Sequence, residues 1–143
     1  MKKEDKALLL KDLCTRLPYN VICQVEFKEN GKYNSKVMLL SGIFTDEAYF
    51  TTKGGSIYSN EYKPYLFPLS SMTEEQLFEV QEILGKNEIK IEDGFIHIVD
   101  SERNTISYLE ILALLEWFYK NHFDVNNLIH KKLAVNATGL NIY

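Results

Sequence analysis

Apolar and polar residues alternate through "VICQVEF", residues 21–27, whereas before and well after it the apolar positions recur every three or four residues. The first rhythm is that of a half-buried strand, the second that of helices. Ahead of it, Leu10, Leu13, Cys14 and Leu17 share one helical face, with Lys6, Lys11, Asp12 and Arg16 mostly elsewhere. Pro18 restricts Leu17, so a first helix is predicted over about 5–16. Beyond residue 27, Asn30-Gly31 supplies the positive φ angles of a tight turn. "SKVMLLSGIF", "AYFTT" and "SIYSN" then read as three more strands, separated at Thr45-Asp46-Glu47 and Gly54-Gly55. The result is an antiparallel meander of about four strands, whose closure into a barrel the pattern leaves open.

Pro64 and Pro68 withhold two backbone donors, so residues 63–69 are predicted to form an extended connector that covers a sheet edge with Tyr65, Leu66, Phe67 and Leu69. Thr73 and Gln76 have capping-box spacing and open a second helix, about 74–84, burying Leu77, Val80 and Leu84 and ending at Gly85. Asp93-Gly94 then fixes a hairpin register: Glu92 faces Phe95, Ile91 faces Ile96, Lys90 faces His97 and Ile89 faces Ile98. All four isoleucines fall on one face. Ser107 and Glu110 cap a third helix reaching about residue 121. Its apolar face takes in Tyr108, Ile111, Leu112, Leu115, Phe118 and Tyr119, extended by Leu109, Leu114 and Trp117. A helix so apolar belongs to the core or to an interface. Asp124 is placed to cap a last short helix near 125–132, with Phe123 and Leu128 as its hydrophobic staple. The fold class is α+β: N-terminal helix, meander, helix, hairpin, long buried helix and short C-terminal helix, in one domain over 1–143.

Composition adds limits. The chain has 143 residues, enough for one core, and is 45% hydrophobic and 25% charged, near the globular average. No apolar run approaches a membrane span, and "MKKEDKALLLKDL" is too charged for a signal peptide, so a cytoplasmic protein is expected. The net charge of −4 is concentrated in residues 67–103, with three Lys/Arg against nine Asp/Glu, and gives no long-range attraction for nucleic acid.

Candidate chemistry is sparse. His97, His122 and His130 show no metal-ligand spacing, and His122 reads as a cation or donor at a helix C-terminus. Cys14 and Cys23 read as reduced core thiols rather than a disulfide or a nucleophile. Ser70-Ser71 lacks a Gly-x-Ser-x-Gly context, Lys53-Gly54-Gly55-Ser56 lacks Walker spacing, and Glu74, Glu75, Glu79, Glu82, Glu88, Glu92 and Asp93 read as a solvated acidic face. No cofactor, metal or catalytic residue is assigned. The most suggestive patch is Tyr58, Tyr62, Lys63, Tyr65 and Phe67, near which Lys36 and Lys53 are envisaged, together with Trp117 as an anchor. Two functions are weighed: a non-enzymatic module binding a protein partner or a second copy of itself, and single-stranded nucleic-acid binding through the aromatic/lysine patch.

Two stretches also carry a resemblance. Lys63-Pro64-Tyr65-Leu66 with Pro68-Leu69-Ser70-Ser71-Met72-Thr73-Glu74-Glu75, and Asn121-His122-Phe123-Asp124 with Leu128-Ile129 and Leu133-Ala134, resemble motifs of small uncharacterised proteins of gut bacteria and their phages or mobile elements. The resemblance implies a cytoplasmic accessory protein from a mobile genome; it does not imply an enzyme.

Overall fold

The strand at residues 21–27 becomes the centre of a curled sheet. A computed structural model describes residues 1–44, 47–85, 87–99 and 106–143. After helix α1 (Lys3–Arg16), β1 (Ile22–Glu29), β2 (Lys32–Ile43), β3 (Ala48–Thr52) and β4 (Gly55–Ser59) form the expected meander. Asn30 and Gly31 both take positive φ, as a two-residue turn requires. The turn expected at Thr45-Asp46 lies outside the described residues.

The meander is part of a six-stranded sheet of order β4-β3-β2-β1-β5-β8, and here the connector reading is corrected. Residues Glu61–Leu66 form β5, antiparallel to β1, with Pro64 opposite Cys23 and Lys63 opposite Gln24. β8 (Val135–Asn136) pairs in parallel with Tyr65 and Leu66 alone. One flank of Pro64 therefore carries no ladder and can absorb the missing donor.

Only Asn60 separates β4 from β5, yet three strands lie between them in the sheet. Laid flat, those positions would be about 19 Å apart, while two consecutive Cα–Cα steps reach about 7.6 Å. The sheet must roll up. A register shift between Leu40 and Gly42 bends β2, and Ser59 Oγ at the end of β4 donates to the Glu26 carbonyl on β1 at 2.7 Å, closing one end of a small barrel.

Inside it, Val21, Cys23, Val25, Met38, Leu40, Phe50 and Tyr62 pack with Leu9 and Leu13 of α1 and with Leu128 and Leu133. The buried stripe of α1 is Leu9, Asp12, Leu13 and Arg16, one position round from the predicted face. Cys14 is exposed and is not a core thiol, whereas Cys23 is fully buried. The rotation follows from Asp12 and Arg16, which form a buried ion pair instead of facing water.

A second hydrophobic cluster is built from α2 (Glu74–Leu84), the hairpin β6 (Glu88–Glu92) and β7 (Phe95–Val99), and α3 (Tyr108–Lys120). Both capping boxes are present, Thr73 with Gln76 and Ser107 with Glu110. The hairpin has the predicted register, and Ile89, Ile91, Ile96 and Ile98 all turn onto this cluster. Leu77 is more exposed than predicted; Val80 and Leu84 supply the buried contacts of α2.

No helix forms at 125–132. Asp124 does accept from the Leu128 and Ile129 amides, both at 2.8 Å, but Asn127 and Lys132 take left-handed φ and break the segment into turns. The fold is α+β. No helix among the described residues is long and apolar enough to cross a membrane.

Candidate functional site

The aromatic patch expected near β5 does not assemble on the surface. Tyr62 points into the barrel against Phe50, with ring centroids 5.2 Å apart, and Tyr65 is also buried. Phe67 lies between the rings of Phe123 and Tyr143. Tyr58 and Lys63 stay exposed but line different clefts, of about 570 and 460 Å³. The Tyr58 cleft carries Glu26, Glu47 and Glu61 beside Tyr33 and Lys28, a poor surface for a polyanion. Lys36 sits over the ring of Phe27. Trp117 is a half-buried brace: its ring stacks on Phe123 and its Nε1 donates to Glu79 at 2.9 Å.

The two stretches quoted for their resemblance meet in space. Phe67 N donates to the His122 carbonyl and Asp124 N to the Phe67 carbonyl, so the backbone around Phe123 runs beside the end of β5. Around this joint lies a buried polar network. Arg16 holds Asp12 through Nε at 2.6 Å and Nη2 at 3.2 Å, and Nη2 also donates to the Phe123 carbonyl at 2.7 Å. Asn126 Nδ2 reaches the same Asp12 carboxylate at 2.7 Å, and the guanidinium lies 4.8 Å from the Tyr119 ring centre. Burial pushes the Asp124 carboxyl above its ordinary range, against its two amide donors.

α3 ends in this joint. Its C-terminus closes with His122 N bonded to the Tyr119 carbonyl and Phe123 N to the Phe118 carbonyl, while His122 takes a φ of 60°. That is a Schellman closure, with Phe118 and Phe123 making its hydrophobic contact. His122 is thus not the helix-capping cation of the sequence reading. Its ring stacks on Tyr143 at 3.7 Å, Nδ1 has no hydrogen-bond partner, and burial followed by the Arg16 charge lowers its pKa from 6.5 to about 4. The Tyr143 hydroxyl donates to the Tyr65 carbonyl and accepts from Ile22 N, tying the last residue to the barrel.

A pH dependence follows. The unfolded chain takes up the His122 proton near 6.5 and the folded chain only near 4, so stability falls as pH drops through that window. The expected loss is about 1–2 kcal/mol, discounted for the solvent access of the ring. The raised Asp124 carboxyl works the other way, gaining its proton earlier in the folded state. Denaturant unfolding between pH 6.5 and 4.5 should show a shallower decline for His122→Asn, which tolerates positive φ and does not titrate. An equal decline in both proteins excludes His122 as its source.

The most distinctive surface is the outer face of α3. The small second cluster accepts only Leu114 and Phe118 from this helix as fully buried residues. Of the face predicted for the core, Phe118 is fully buried and Tyr119 partly so, while its other four residues are turned outward. Tyr108 and Leu109 are 74% and 75% exposed, and Ile111, Leu112 and Leu115 are also exposed. Their spacing places Tyr108, Ile111, Leu112 and Leu115 on one stripe with no charged residue in it. The sequence predicts a broad apolar face that leaves only a stripe with Glu110, Glu116 and Lys120 polar; which part of it would be covered depended on where α2 and the hairpin packed. No protein-family model, curated protein or solved structure matches the chain.

Proposed function

We propose that this protein is an interaction module, acting in the cytoplasm, that docks a protein partner on the outer face of α3. The exposed stripe from Tyr108 to Leu115 carries this reading. A capped helix with five large apolar residues facing water holds a preformed contact surface, and patches of this kind mark interaction sites. Its chemistry selects an apolar protein surface over a phosphate backbone. Three side chains with potential for catalysis are engaged in structure: Cys23 is buried and burial pushes its thiol pKa up, Ser71 Oγ donates to the Pro68 carbonyl, and His122 is stacked.

A photo-reactive residue placed at Leu109 is expected to yield a discrete protein adduct in cells, while the same group at Lys53, in the β3–β4 turn, yields none. Tyr108→Glu should leave folding stability within about 0.5 kcal/mol of the parent, as at other exposed sites, and abolish the contact. Absence of any adduct specific to Leu109 overturns the proposal.

A further inference from the structure

We infer that the surface covering this face is a second copy of the same chain, in a two-fold dimer built on antiparallel α3 helices. The inference rests on the reading of α3 as a docking face and names its occupant. Size is the first argument. Tyr108, Ile111, Leu112 and Leu115 together expose about 400 Å², taking full areas of roughly 180–230 Å² per residue. Homodimer interfaces are about 65% apolar, so this is the apolar share of about 600 Å² per partner, at the lower end of the range for a stable interface.

Composition is the second. The stripe runs about 10 Å along the helix without a charge, the depletion expected at the centre of a homodimer interface. Glu116, the nearest carboxylate, borders the stripe one turn beyond Leu112 and accepts from the Tyr19 hydroxyl at 3.4 Å. Symmetry then selects the direction. Parallel helices would set Glu116 against Glu116 of the second copy. Antiparallel helices put Tyr108 opposite Leu115 and Ile111 opposite Leu112, and carry Glu116 past the seam to the N-terminal end of the opposing helix, where the macrodipole favours a carboxylate.

Sedimentation equilibrium of the full chain is the test, with the Leu109 photo-cross-link as its companion. The wild type is expected to be a dimer whose cross-linked adduct has twice the chain mass. Leu112→Glu, buried twice by symmetry, should weaken dimerisation at least about 100-fold with an unchanged far-UV spectrum, and Tyr108→Glu should do likewise should the first variant fold poorly. A dimer indifferent to both substitutions overturns the inference. A monomer that cross-links to a different protein also overturns it, yet leaves the docking reading standing. A monomer with no adduct overturns both.

Discussion

Replacing Asp12 by alanine is expected to cost about 3–5 kcal/mol of folding stability, a large part of the roughly 5–15 kcal/mol that holds a domain of this size. The Arg16 side chain is wholly buried, and Asp12 satisfies two of its nitrogens. Without Asp12, the guanidinium keeps the Phe123 carbonyl and the Tyr119 face but loses its counter-charge, and Asn126 loses an acceptor. An unpaired buried cation is far costlier than the ion pair is stabilising, so Asp12→Leu with Arg16→Met should cost less than the two single changes added together. Denaturant unfolding of the four proteins measures this cycle. A loss below about 1 kcal/mol for Asp12→Ala means that water reaches the guanidinium.

That pair also shows why the α1 face was misread. Opposite charges at i and i+4 are the ordinary dress of a solvated helix, so binary patterning assigns Asp12 and Arg16 to water and turns Cys14 inward. The partners that make their burial tolerable, Phe123 and Asn126, lie more than a hundred residues away. The hairpin was legible for the opposite reason: Asp93-Gly94 sets the register locally, and the isoleucines confirm it within ten residues. β5 fell between these cases. Pro64 and Pro68 argued against a central strand, but the short β8 that leaves Pro64 free on one side comes from the unpatterned tail. For α3, the pattern gave the helix and its caps. It gave no means of choosing a buried side, because nine apolar residues leave little contrast around the helix. The aromatic patch failed similarly: Tyr62 and Tyr65 carry polar tips that suit a surface, yet Phe50 packs one and the Tyr143 hydroxyl binds the backbone of the other.

Phe123→Ala is expected to be as damaging as the loss of Asp12, about 3–5 kcal/mol, and to act by a different route. The ring is 1% exposed, stacks on Trp117 at 5.7 Å, and meets Phe118 edge-on and Phe67 at an angle. It is the side chain through which the Schellman end of α3, the brace to α2 and the end of β5 touch one another. Its backbone serves the barrel side by accepting from Arg16, and alanine preserves that bond. The damage should therefore begin in the second cluster. Trp117, the sole tryptophan, reports on that cluster, while far-UV dichroism is dominated by both units together. In the wild type the two signals are expected to change together on unfolding, and in Phe123→Ala the fluorescence transition should come first. Phe67→Ala removes a half-buried ring from the same joint and should cost less, about 2 kcal/mol. Coincident transitions in Phe123→Ala with the full stability loss would show that the joint couples both clusters through backbone and Arg16 alone; a loss below about 1 kcal/mol would mean that Trp117 and Phe118 close over the gap.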